Sequence, residues 1–308
     1  MGRFFERALL TVTFLLAACG DNSNVKTSSP SLEKENTTNI PSSSPSNSLV
    51  GTESAETDFL SHSADVTKGL EHLDRNEFSA AAREFSEAFE AGDADGAFYL
   101  GRMSELGIGL KPDLTRAVAL YKAGAEKGSP PAKNRLGLMH LSGQGALQDF
   151  EFGAKLICEA ADTGDTNAQF NCGNLYLQGK GVEENKKTAI SYFEKASKQN
   201  HIAAQNFLGL AHLKGDGVQA NSKKANEQFQ KTADAGNPLG MFQLAEYFAD
   251  TGDEGHRDLE KSHMYFNLAA SKGHPGAATR RDEVQAQMTP EAIVTAQKMA
   301  REWTAKVE

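Results

Sequence analysis

From Gly96 onward, one pattern of small, apolar and polar positions is written five times. It reads GAFYLGRMSELGIGL from Gly96, AKNRLGLMHLSGQGA from Ala132, AQFNCGNLYLQGKGV from Ala168, AQNFLGLAHLKGDGV from Ala204 and GMFQLAEYFADTGDE from Gly240. Each copy starts 36 residues after the one before. Within a copy the small and apolar residues return at intervals of three and four, the period of an amphipathic helix. Four copies end in paired glycines, Gly107 and Gly109, Gly143 and Gly145, Gly179 and Gly181, Gly215 and Gly217. Such glycines admit the left-handed backbone that stops a helix. A second apolar run follows, marked by Tyr121, Ile157, Phe193, Phe229 and Phe266, with small residues Ala161, Ala196, Ala233 and Ala269 behind them. It closes at Gly128, Gly164, Asn200, Gly236 and Gly273. The pattern predicts two antiparallel helices per copy. A repeat of this length cannot bury its apolar face alone and stacks on its neighbours.

The unit ahead of these copies, Phe59 to Gly92, is shorter. Gly69, Phe78, Ala81, Phe85 and Ala88 stand at the spacings of a tetratricopeptide helix pair, with Asp74-Arg75-Asn76 as its turn. After the copies comes a partial unit from Gly276 and then Thr289-Pro290-Glu291, a helix start with an N-cap, a proline in the first turn and an acid behind it. Ile293, Ala296, Ala300, Trp303 and Val307 give that last helix one apolar face, suited to sealing a stack, while Lys298, Arg301 and Glu302 stay wet.

The Leu-Gly pairs, the double glycines and the aromatic second helix resemble the Sel1-like repeat family, the longer-loop relatives of tetratricopeptide repeats. The match covers 94–275. Its fifth unit departs, with Ala245 for the first glycine, Thr251 and Asp253 for the loop glycines, and one extra residue before the second helix, so a different loop shape is expected there. The resemblance implies an all-α protein: a right-handed α-solenoid of about six stacked antiparallel helix pairs with a C-terminal capping helix. The chain divides into 1–18, 19–57, a tetratricopeptide-type repeat at 58–93, five Sel1-like repeats at 94–275, and a partial repeat with its cap at 276–308.

The first residues read as an export signal. Arg3 and Arg7 precede a run, 8 to 18, that is apolar apart from Thr11 and Thr13. It is too short to span a membrane as a helix and suits a signal peptide. Leu16-Ala17-Ala18-Cys19 resembles the bacterial lipoprotein signal, which implies cleavage before Cys19 and lipidation of that cysteine. Gly20 follows, and the absence of Asp there points to the outer rather than the inner membrane. Residues 20 to 57 are dense in Ser, Asn, Thr and Pro, with little to bury, and read as a flexible tether. A lipid-anchored protein facing the periplasm is the expected state.

A net charge of -9 argues against a nucleic-acid partner. Three cysteines are too few for a disulfide scaffold and lack zinc-site spacing. Cys158 and Cys172 flank the turn at Gly164 almost symmetrically, and an oxidising compartment allows a bridge between them. Against it, Cys172 takes a core leucine position while Cys158 aligns with Lys122, Glu194 and Gln230. The histidines are scattered, so neither a metal nor a cofactor is expected, and no nucleophile stands with a base. Some disulfide-rich relatives have a hydrolase activity toward cell wall or β-lactams attributed to them. Here Ala161 and Ala168 occupy the positions of their cysteines, and the signature is absent. That hydrolase is the alternative to the expected role, a scaffold, adaptor or regulator that binds an envelope protein or peptide.

The resemblance also implies that the first helices line a concave side. In register with the Leu-Gly pair, the groove would then present Phe98, Asn134, Phe170, Asn206 and Phe242. One turn on it would present Arg102, Leu138, Asn174, Leu210 and Glu246. Amides in such a row can donate to and accept from an extended peptide backbone. Inter-repeat packing is the competing reading of the Phe/Asn alternation.

Overall fold

A computed structural model describes residues 64–249 and 257–304. Cys19, the tether and Val307 lie outside the described residues. The elements are α1 Ala64–Asp74, α2 Phe78–Ala91, α3 Asp95–Leu106, α4 Leu114–Glu126, α5 Pro130–Ser142, α6 Phe150–Asp162, α7 Thr166–Gln178, α8 Lys186–Lys198, α9 Ile202–Lys214, α10 Ser222–Asp234, α11 Pro238–Ala249, α12 Leu259–Ser271, α13 Ala277–Gln285 and α14 Pro290–Glu302. Among the described residues there is no strand. Each helix from α1 to α12 packs on the next, and α14 turns back onto α12. The odd-numbered helices, here A-helices, also touch across repeats, α3 with α5 and α5 with α7. They form the inner layer of an α-solenoid, and the B-helices α4 to α12 form the outer one.

The loop inside each repeat is built by one residue that does two jobs. Asp113, Asp149, Asn185, Asn221 and Asp258 cap the B-helices, each side chain accepting the N–H three residues on. Each also donates its own N–H back to an A-helix carbonyl, at Ser104, His140, Tyr176, His212 and Phe248, over 2.8 to 2.9 Å. A cap of this kind stabilises a helix by about 1 kcal/mol. The fifth repeat keeps both bonds although its glycines are gone and its loop is a residue longer. The interior of that loop, 250–256, lies outside the described residues.

The core is a column of one large side chain per repeat. Phe85, Tyr121, Ile157, Phe193, Phe229 and Phe266 are each at most 1 % exposed. The ring edge occupies the space a side chain would take on the facing A-helix. A Cβ on Gly209 would stand 2.5 Å from Phe229, and one on Gly101 would stand 2.5 Å from Tyr121. In three repeats the second loop glycine, Gly109, Gly145 or Gly181, lies close against the repeat before. Gly181 has φ +72°, and a Cβ there would lie 2.0 Å from the Phe150 carbonyl oxygen. At the C-terminal end, Ala296 is fully buried, and Met299, Ala300 and Trp303 pack on the last core cluster. Two glycines with positive φ therefore differ sharply. Gly181→Ala must move backbone, and urea unfolding should show a loss of about 3 kcal/mol or more. Gly164→Ala, with φ +107° and nothing within 4 Å, should lose only about 1 kcal/mol.

Candidate interaction face

The inner layer carries a half-exposed row, one residue per A-helix: Arg102, Leu138, Asn174, Leu210 and Glu246. Of the seven predicted groove residues, Arg102 and Asn174 lie in it. The row is open because the A-helices turn their buried faces elsewhere. Gly101, Gly173 and Gly209 face their own B-helices, and Gly96 and Gly240 face the B-helix before.

The other five predicted residues pack against other side chains, Asn134 and Asn206 buried and Phe98, Phe170 and Phe242 half-exposed. Phe170 stacks on His201, 4.6 Å between centroids, and Phe242 stacks on His274 at 4.1 Å. Phe98 packs edge-on against Tyr99 and beside Tyr121. Asn134 and Asn206 are each 8 % exposed. Asn171 donates its amide to Asn134 Oδ1 over 3.0 Å, and Asn206 donates to Asn237 Oδ1 over 3.1 Å. Asn134 and Asn206 are thus used in packing, while the three phenylalanines keep a half-exposed surface like that of the row. Three of these five are matched by the residue 31 or 32 further on: Phe170 meets His201, Phe242 meets His274, and Asn206 meets Asn237. The residue before an A-helix was the signal in the sequence that could have shown this.

His201 shows what such a junction does. It is 5 % exposed, and its Nδ1 accepts the Ala204 N–H over 3.2 Å as the N-cap of α9. That bond needs a neutral ring with its proton on Nε2. Burial lowers the pKa from 6.5 to about 4.

Ion pairs close both ends of the row. Arg135 on α5 bonds Glu105 on α3 through both carboxylate oxygens, with Nε to Oε2 at 2.9 Å. Arg102 stands 3.6 Å from the same carboxylate, and the Tyr121 hydroxyl donates to it over 2.6 Å. Burial opposes ionisation of Glu105. The Arg135 hydrogen bonds and charge, with Tyr121 and Arg102, outweigh it and hold the carboxyl below its usual range. At the other end Arg280 on α13 forks onto Glu246, both bonds 2.7 Å, and also pairs with Glu283. Sequence reading placed Arg102 and Glu246 in the row but missed Arg135 and Arg280. They occupy one repeat position, three residues ahead of the row.

Cys158 on α6 and Cys172 on α7 are joined in a disulfide, with Cα atoms 5.1 Å apart. They lie one helical turn from Ala161 and Ala168, further from the connection at Gly164. With both sulfurs bonded, neither is a nucleophile. Among the described residues no cluster of His, Cys, Asp or Glu could hold a metal ion.

Two outcomes follow. For the chain with Cys19→Ala, a thiol assay on non-reduced protein should find no free thiol. Replacing Cys158 and Cys172 by alanine should lower stability by about 3 kcal/mol, as expected for a loop of this size. The His201 pKa is depressed on folding, so its contribution is complete above pH 6.5 and is lost as pH falls toward 4. Over that window its protonation should weaken folding up to about tenfold per pH unit. His201→Asn keeps a cap without the titration. In paired urea unfolding, the stability gap between wild type and variant should shrink from pH 7 to pH 5, and a constant gap would contradict the assignment.

A family model described as Sel1 repeat matches residues 94–129, 130–165, 166–201, 202–237 and 238–274. Two solved structures are similar in fold. One is a protective antigen of uropathogenic Escherichia coli with an SLR fold, 28% identical, TM-score 0.63, matched over 72% of this chain and 48% of that one. The chain therefore spans about half the length of that relative. The other is a Sel1 repeat protein from Oxalobacter formigenes, 24% identical, TM-score 0.65, matched over 77% of this chain and 99% of that one. Among curated proteins none matches the sequence. The matched repeats cover more than half of the chain, and the protein belongs to the Sel1 repeat family, whose members generally mediate protein–protein interaction.

Proposed function

We propose that the protein is a lipid-anchored adaptor of the bacterial cell envelope, facing the periplasm, that holds a protein or peptide segment on its A-helix face. The half-exposed row from Arg102 to Glu246 carries this reading. It is half-exposed along its length, although Leu138 and Leu210 also pack on core clusters and Glu246 pairs with Arg280. Its central members, Leu138, Asn174 and Leu210, combine apolar surface with an amide. An amide can bond an extended backbone and leucines can cover its side chains, a recurring mode of peptide recognition. The matched family is an interaction family, which supports a protein partner.

The anchor rests on the apolar run that ends at Leu16-Ala17-Ala18-Cys19. The Cys158–Cys172 disulfide supports the same address, because such bonds persist in oxidising compartments and not in a bacterial cytosol. The outer membrane is the proposed location. A scaffold that waits at the membrane for an envelope partner needs no catalytic group of its own.

Two experiments separate the parts of this proposal. Cells fed an alkyne fatty acid should label the wild-type chain in the outer-membrane fraction and should not label the Cys19→Ala variant. Labelling that ignores the substitution would remove the anchor. For the face, crosslinked envelopes should yield a captured protein with wild type. Asn174→Arg should reduce capture about tenfold or more, with helicity unchanged. Lys195→Glu on the outer layer should leave it intact.

A further inference from the structure

The loop edge of the solenoid, where A-helices end and B-helices begin, changes character along the stack. Among the described residues eight large apolar side chains are exposed. Six of them stand at this edge in two successive repeats: Leu106, Leu110, Leu114, Leu147, Phe150 and Phe152. Leu147 is the extreme case, 88% exposed in its loop. The same positions are polar further on. Phe150 is followed one and two repeats later by Lys186 and Ser222, Phe152 by Thr188 and Lys224, and Leu147 by Glu183 and Gln219. The repeat does not ask for apolar residues here, so the scaffold does not account for them.

The two repeats join at this edge. A Cβ on Gly145 would lie 2.8 Å from the Leu114 Cβ, which sets the second repeat's loop against the start of α4. In that loop the Leu147 carbonyl accepts from His140 Nδ1 over 3.0 Å, and Phe152 packs edge-on against the same ring at 4.9 Å. Lys180 lies over the Phe150 ring, 4.9 Å from its centroid. Glu151 is exposed between the two phenylalanines, and Asp113 and Asp149 are held as helix caps. The edge is therefore not a basic patch, and its hold on a partner is apolar.

Area narrows what it fits. Together the six expose about as much as three whole side chains, roughly 500 Å² at ~150–250 Å² each. A stable protein interface takes roughly 800 Å² from each partner, so a second copy of this chain on this edge would be held weakly. A bilayer needs no matching shape. Protruding leucine and phenylalanine side chains enter its interface one by one, and a lysine beside them keeps its charge at the headgroups. Residues 20–63 separate Cys19 from α1. At ~3.3 Å each they reach up to roughly 145 Å, far enough to bring this edge to a membrane that holds Cys19.

We infer that the loop edge of the first two Sel1 repeats is a membrane-contact surface, with Leu147, Phe150 and Phe152 set into the interface of a phospholipid bilayer. This rests on the proposed membrane address and adds an orientation to it. The solenoid stands on its loop edge, and the A-helix row faces sideways, open to a partner.

Fluorescence on vesicles tests this. Leu147→Trp and Gln219→Trp place a probe at one loop position, two repeats apart. Each is made in the full chain with Cys19→Ala, which carries no acyl chain and so reads the edge apart from the anchor. Trp303 gives the same background in every variant. The vesicles are phosphatidylcholine brominated on its acyl chains. The probe at position 147 should shift to the blue and lose roughly half its emission or more, while the probe at position 219 stays unchanged. Phe150→Lys with Phe152→Thr gives this edge the residues of the next repeat, and should cut quenching at position 147 about fivefold. Equal quenching at the two positions, or none at position 147, overturns the inference whatever the fate of Cys19. A blue shift at position 147 that grows with protein concentration in the absence of vesicles overturns it in favour of a second copy.

Discussion

The structure depends on a ring set against a missing side chain. In each of several repeats, an aromatic residue of the B-helix occupies the volume that a Cβ would fill on the A-helix, as Phe229 does at Gly209 and Tyr121 at Gly101. This contact fixes how close the two helices come and which face of the A-helix is used up by its own repeat. The second loop glycine, as at Gly181, fixes the distance to the repeat before. With both spacings set by absent side chains, the A-helix retains one strip that stays half-exposed. Function is assigned to that strip for this reason and not because of any residue on it.

A second constraint decides what the strip contains. Neighbouring repeats must agree at their junction, and they do so with different chemistry at different junctions. Phe170 and His201 stack, Phe242 and His274 stack, while Asn206 bonds Asn237. The Phe/Asn alternation is a record of these agreements. Asn206, 8 % exposed, donates its amide NH2 to Asn237, while its own Oδ1 is buried without a partner among the described residues. The row one turn on escapes this demand in its middle and meets it at its ends, where the ion pairs sit.

Much of the fold was legible because its causes repeat. The period, the Leu-Gly pairs, the double glycines and the aromatic column are all backbone or core requirements, and the sequence shows each of them several times. The B-helix caps at Asp113, Asp149, Asn185, Asn221 and Asp258 are equally regular, at a 36-residue spacing with one extra at the last. The candidate site was half legible. Arg102 and Asn174 fell in the open row because helical phase places them there. Asn134 and Asn206 are buried, and Phe98, Phe170 and Phe242 are half-exposed against ring neighbours; phase alone cannot tell a face open to solvent from one covered by neighbouring side chains. The disulfide needed three-dimensional information too, since Cys158 stands at a position that is polar elsewhere.

The central claim is that partner contact runs through the A-helix strip and not through the outer helices. Site-specific photocrosslinking reads this directly. A benzoylphenylalanine at position 174 on α7 and another at exposed position 194 on α8 lie in the same repeat on opposite layers. In living cells, the account predicts a discrete crosslinked protein from position 174 and none from position 194. Crosslinks at 194 with none at 174 would contradict it.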